Sequence, residues 1–242
     1  MKPAWTSVAL AGFMIAASAS PGDNPGSVPP RYRAMVVRSR EHAFHEKLLA
    51  LTFDDGPDPV NTPQILDTLK ARGAHATFFV LGAQVKRHPE LLRRMLAEGN
   101  AVGSHSWSHP SRVTPAQART EIESTERMIR EATGSPPVLF RPPYGLIKNG
   151  LAALAQKRGY TVLLWTISSA DTRPITPRQI ADNIVHTPDP GDIALLHDGP
   201  GHGSTARALP IILDELGHAG WQFVTVPRLL HAWDDRMRRG AP

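Results

Sequence analysis

The chain has 242 residues, 41% of them hydrophobic and 20% charged, which is enough for one large core or two small ones and lies in the ordinary globular range. It has no cysteine, which excludes a disulfide framework, thiolate-held metal centres and a thiol nucleophile, so any chemistry falls to His, carboxylates, Ser, Lys or Arg. Of the net charge of +5, residues 31–47 carry +3, while residues 48–242 set 21 basic against 19 acidic side chains; no cluster of Lys and Arg beside aromatics points to a nucleic-acid partner.

Residues 1–19 have the layout of a secretory signal peptide: Lys2, a mostly apolar stretch through Ala17, and Ala17-Ser18-Ala19 as a cleavage site. Thr6, Ser7 and Gly12 interrupt the stretch, and it falls short of the roughly 20 apolar residues of a stable membrane span. Export, periplasmic or secreted, with cleavage near Ala19 is therefore expected. Residues 20–47 read as a Pro/Gly-rich and then basic linker, 48–235 as one folded domain, and 236–242 as a tail.

From Leu48 onward, short apolar runs read as buried strands at 48–53, 76–80, 101–103, 138–140, 161–167, 193–196 and 222–226. Helical stretches separate them. Thr62-Pro63, Thr114-Pro115 and Thr176-Pro177 each offer an N-cap followed by proline at the first helical position, and Gly99, Gly134 and Gly159 read as C-terminal stops. Seven strands, each followed by a helix through short loops, predict an α/β fold of parallel strands with right-handed crossovers, closed into a barrel or left open. Neither a G-x-G-x-x-G nor a phosphate loop is present, so a nucleotide-binding open sheet loses its main support.

The polar residues collect at the carboxyl ends of these strands: Asp54-Asp55-Gly56-Pro57 after the first, His105-Ser106-Trp107-Ser108-His109 after the third, Arg141-Pro142-Pro143-Tyr144 after the fourth, Asp171 after the fifth and His197-Asp198 after the sixth. Taken singly they are a turn, two exposed histidines, a surface cation, a cap and a core histidine. Jointly, at the end of a β/α barrel where loops converge, they are a kit for metal-assisted hydrolysis. His105 and His109 are four apart, so on a helical turn their imidazoles share a face and converge on one ion. One carboxylate and two imidazoles leave positions open on a divalent ion. A second carboxylate serves as base and a separate acid protonates the leaving atom.

Four motifs resemble, in order, those of the polysaccharide deacetylases, carbohydrate esterase family four, also called the NodB-homology domain: T-F-D-D-G-P at 52–57, H-S-x-x-H at 105–109, R-x-P-Y at 141–144 and L-x-H at 195–197. The resemblance runs from about Leu48 to Leu230. It implies a distorted, TIM-barrel-like (β/α)7 barrel and metal-dependent removal of acetyl groups, N-acetyl on GlcNAc-type residues, from a cell-wall or extracellular polysaccharide. Asp55, His105 and His109 would bind the metal, Zn2+ in the first instance with Co2+, Ni2+ or Mn2+ as alternatives. Asp54 would be the base, held by Arg141, and His197 the acid, supported by Asp171. The Tyr144 backbone N–H would stabilise the oxyanion, and Pro143, Tyr144 and Leu195 would line the substrate pocket. A monomer with a polysaccharide partner is expected.

The fourth motif departs from the family's pattern. Ser168 stands where an Asp is usual, and Thr172 where a Trp usually walls the pocket; Asp171 keeps its place. A roomier pocket is expected, with Trp107 in a position to lean toward the mouth. A 2-His-1-carboxylate iron(II) centre would leave Asp54, Arg141 and His197 without roles. A non-catalytic glycan-binding descendant should have lost a ligand or the base, and an O-acetyl, xylan-type esterase differs only in substrate.

Overall fold

The structure, a computed structural model, describes residues 26–41 and 44–240; the signal reading lies outside them. Its strands are β1 (Val36–Val37), β2 (Leu48–Asp54), β3 (Thr77–Val80), β4 (Ala101–Ser104), β5 (Leu139–Phe140), β6 (Thr161–Leu163), β7 (Ile167–Ser168), β8 (Ile193–His197) and β9 (Gln222–Phe223). Its α-helices are α1 (Asn61–Ala71), α2 (Gly82–Arg87), α3 (Pro89–Ala97), α4 (Pro115–Thr133), α5 (Leu151–Lys157), α6 (Pro177–Val185), α7 (Gly203–His218) and α8 (Val226–Arg238). Every pairing is parallel, in the order β1-β6-β5-β4-β3-β2-β8-β7, with β9 added beside the start of β2.

Strands β6 and β7 are two halves of the single strand expected over 161–167. The first half pairs with β5 and β1 and the second with β8, at opposite ends of the sheet order. Leu164 N–H donates to the Val37 carbonyl and Thr166 N–H to that of Ile193, so this stretch crosses the seam and draws the curled sheet together. The expected α/β architecture, a distorted (β/α)7 barrel, is the one observed.

Side chains alternate across each strand, and that period sorts core from site. In β2, Leu49, Leu51 and Phe53 join a cluster with Ile65 and Leu66 of α1 and Leu209 and Ile212 of α7. Leu48 and Ala50 face the other way, into a cluster with Phe44, Leu229, Leu230 and Trp233 that plugs the bottom of the barrel. Thr52 and Asp54 continue that inward row to the mouth. The same parity leads from Leu139 to Arg141 and from Ile193 through Leu195 to His197.

Three expectations about local structure are corrected. Thr62 does not cap α1, which starts at Asn61. The Asp58 carboxylate accepts from Val60 N–H and Asn61 N–H instead, and the Thr62 hydroxyl is drawn to Asp198 at 2.5 Å. Thr114 and Thr176 do cap α4 and α6, each in a capping box with Gln117 or Gln179. The segment read as a linker, in turn, is partly folded onto the body. β1 pairs with β6, Tyr32 and Phe44 are buried, and the Tyr32 ring meets Trp233 edge-on at 6.4 Å. At the other end α8 runs past residue 235 to Arg238.

Candidate metal and acid–base site

Asp54 is the last residue of β2 and points into the barrel. Its Oδ1 accepts from Arg141 Nη1 at 2.8 Å, and the same Nη1 reaches the Thr52 hydroxyl at 2.8 Å. Arg141 is fully buried, with its guanidinium 4.2 Å from the Phe79 ring centre and 5.8 Å from that of Trp165. Gly103 leaves room for this stack, because a Cβ there would stand 2.6 Å from Phe79 Cε1. A buried guanidinium facing one carboxylate holds that carboxylate in place.

Asp55 leaves the strand in the left-handed region, φ 75°, and so turns its carboxylate across the mouth rather than away from it. Five of the six described non-glycine residues with positive φ lie in the mouth loops: Asp55, Ser106, His109, Tyr144 and Ala170. Backbone of this kind is held only where surrounding contacts enforce it, and it gathers at functional sites. Asp55 Oδ1 lies 3.7 Å from Nε2 of both His105 and His109. That oxygen is buried and has no hydrogen-bond partner.

His105 Nδ1 contacts the Arg141 carbonyl at 2.7 Å. A carbonyl only accepts, so Nδ1 carries the proton and Nε2 presents a lone pair toward Asp55. The expected helical turn is absent between the two histidines: the chain from His105 to His109 is a loop with Ser106 and His109 at φ 71° and 61°. The physical reason is Glu121 of α4, whose carboxylate accepts from Trp107 N–H, Ser108 N–H and the Ser108 hydroxyl at 2.6–2.9 Å. The Ser106 hydroxyl accepts His109 N–H at 3.1 Å. Burial, then the neighbouring His105, holds His109 below its ordinary pKa, so it is a neutral imidazole at pH 7. A carboxylate oxygen without a partner and two imidazole nitrogens converging on it fit a divalent cation.

Across the mouth, His197 closes β8. Its Nδ1–H donates to Asp171 Oδ1 at 2.8 Å and its backbone N–H to Oδ2 at 2.8 Å, while the Thr205 hydroxyl donates to Oδ2 at 2.7 Å. Burial disfavours the imidazolium, but the hydrogen bond and charge of Asp171, with Asp54 and Asp55 adding, outweigh it and push His197 up to about 9. Asp171 moves down: burial acts against its charge, and the bonds from His197 and Thr205 overcome that. The ring of His202 lies against His197 with centres 5.0 Å apart and planes 22° apart. Asp198 is fully buried under Gly56, where a Cβ would collide with its carboxylate, and burial pushes its pKa up to about 7.

The structure thus brings Asp54, Asp55, His105, His109, Arg141, Tyr144, Asp171 and His197 together at this mouth. Leu195 and Pro143 are buried and Tyr144 is exposed, its ring 4.4 Å edge-on from His109. Thr172 is exposed. Trp107 packs against α2 at Gly82, where a Cβ would stand 2.5 Å from Cε3. Sequence reasoning missed Thr52, Glu121, Thr205 and His202. Thr52 alone carried a signal, two residues before Asp54 on one strand face.

A family model for polysaccharide deacetylases matches residues 41–163. The chain belongs to the polysaccharide deacetylase family. It is 42% identical over 187 residues to the peptidoglycan-N-acetylmuramic acid deacetylase PdaC of Bacillus subtilis, covering 76% of this chain but 39% of that protein. A peptidoglycan-N-acetylglucosamine deacetylase of Bacillus cereus is 39% identical over 190 residues, covering 77% of this chain and 89% of the relative. Among solved structures, the Bc1960 peptidoglycan N-acetylglucosamine deacetylase superposes with a TM-score of 0.76 at 32% identity, over 82% of this chain and 94% of that one. The chain shares with that deacetylase its fold, here a curled parallel sheet wrapped by helices.

Proposed function

We propose that the protein is a metal-dependent hydrolase that removes N-acetyl groups from GlcNAc-type residues of a cell-wall polysaccharide. The observation that carries this reading is the unlike treatment of adjacent carboxylates: Asp54 is held through Oδ1 by Arg141, while Asp55 Oδ1 is buried, unpartnered and 3.7 Å from two imidazole nitrogens. Asp55, His105 and His109 would hold a divalent ion, Zn2+ in our assignment, which when bound lowers the pKa of water to about 7 and polarises the acetyl carbonyl.

The chain's own residues do the rest. Asp54, locked through Oδ1, has Oδ2 available to take the proton of the attacking water. The Tyr144 N–H donates to the oxygen that gains charge as the carbonyl carbon becomes tetrahedral. His197, protonated at neutral pH, gives its Nε2 proton to the leaving nitrogen, and Asp171 fixes the ring through Nδ1. The C–N bond breaks, acetate leaves, and the sugar keeps a free amine. Leu195 and Pro143 present apolar surface to the acetyl methyl.

Acetate release by metal-loaded protein, and by protein stripped with chelator, from peptidoglycan, chitin oligomers, an acetylated exopolysaccharide and acetylated xylan tests the reading. Metal-dependent release from N-acetylated glycans is expected. Release from xylan alone would assign an O-acetyl esterase, and none from any polymer would leave a glycan-binding protein.

A further inference from the structure

We propose that Asp171, His197 and His202 form a second divalent-metal site, whose occupation silences the acid. One ligand atom from each residue lies within 4.8 Å of the other two. His202 precedes the first residue of α7, its Nδ1 4.0 Å from Asp171 Oδ2, while His197 Nδ1 sits 2.8 Å from Oδ1 of the same carboxylate. The two imidazoles therefore approach different oxygens of one anion, their rings nearly parallel at 5.0 Å. A tetrahedral zinc with bonds of about 2.0–2.1 Å sets its ligand atoms roughly 3.3 Å apart, so small side-chain rotations bring this trio into range, as they do for the 3.7 Å spacings around Asp55.

The proton balance makes this ion an inhibitor. To bind at His197 Nδ1 it must displace the proton shared with Asp171, which passes to solvent. The ring left behind is neutral, and its remaining Nε2–H is a far weaker acid than an imidazolium. One ion near Asp55 would then activate the enzyme and a second, weaker one would stop it, a brake set by free metal. The inhibition rests on the reading of His197 as the acid; the binding of a second ion does not, and the two are measured separately.

The experiment is equilibrium dialysis against Zn2+ with metal analysis, in parallel with activity over the same zinc range, on the full chain and on His202→Gln and His202→Ala. Wild type is expected to take up two ions, with inhibition following the second. Both variants should take up one and stay active at one equivalent. They should need more than the roughly 10–100-fold rise in zinc that loss of a merely supporting partner would cause. Uptake of one ion only by wild type would overturn the proposal, as would variants that keep the second ion or an unchanged inhibition profile. Should neither variant fold, the wild-type stoichiometry still decides the site. A protein that binds two ions but releases no acetate would sink the functional reading and spare this one.

Discussion

Asp54 and Asp55 are chemically identical neighbours with opposite surroundings, one clamped by a buried guanidinium, the other left with an orphan oxygen. Asp55→Asn should lose metal and activity together, since a neutral amide is a poor ligand. Asp54→Asn should keep its metal and lose about 10²–10⁴-fold in turnover, the scale of a general base; metal analysis beside kcat separates the two, and the reverse pattern would exchange their roles. His197 supplies a pH prediction. Its pKa of about 9 against an ordinary 6.5 means the imidazolium persists through neutral pH and is lost as pH rises through about 9. The alkaline limb of kcat/KM should fall there. Asp171→Asn removes the charge that outweighs burial, so the limb should move acidward to 6.5 or below. The same sign governs stability: the pair's contribution is full below 6.5 and lost by about 9, a loss that urea midpoints should register in wild type and not in the variant. An unmoved limb would mean another group is the acid.

Among the elements, the loop between β4 and α4 does the most with the least regular structure. Its histidines converge because three donors end on Glu121, 13 or 14 residues further along in the first turns of α4. Glu121→Ala should leave the helix intact, since the Thr114–Gln117 capping box is untouched, yet lower zinc affinity by about 10–100-fold. Dialysis and circular dichroism together read this; unchanged affinity would make Glu121 a bystander. Thr172, in the loop after β7, is exposed, and the pocket-wall role that the family's usual Trp implies for this position is open to test. Thr172→Trp should favour linear chitooligomers over peptide-bearing glycan by at most about 10–200-fold in the ratio of kcat/KM values. An unchanged ratio would place Thr172 outside the substrate groove.

At the scale of the molecule, the mouth depends on the plug beneath it. Tyr32, Phe44, Leu229, Leu230 and Trp233 fill the barrel floor under Ala50, Leu139 and Ile193, the inward residues that precede the site on each strand. Phe44→Ala should therefore cost about 3–5 kcal/mol and lower Tm by roughly 6–20 °C for a chain of this size, although Phe44 lies in a stretch that reads as linker. A shift within error would show that the N-terminal segment is decoration. No helix among the described residues is long and apolar enough to cross a membrane.

The strand–helix alternation, the strand-end positions of Asp54, Asp55, His105, His109, Arg141, Asp171 and His197, and the α4 and α6 caps were all legible in the sequence, because each depends on periodicity or on residues within one turn of one another. Tertiary structure alone decided the rest. The Thr62 hydroxyl goes to a carboxylate 136 positions away, Glu121 unwinds the turn expected between the histidines, and Phe44 finds Trp233. His202, with no motif of its own, comes to share Asp171 with His197. These are contacts between segments that meet only once the sheet has curled. Local pattern cannot announce them, since the free energy that selects each partner comes from burial and from hydrogen bonds that exist only in the curled sheet.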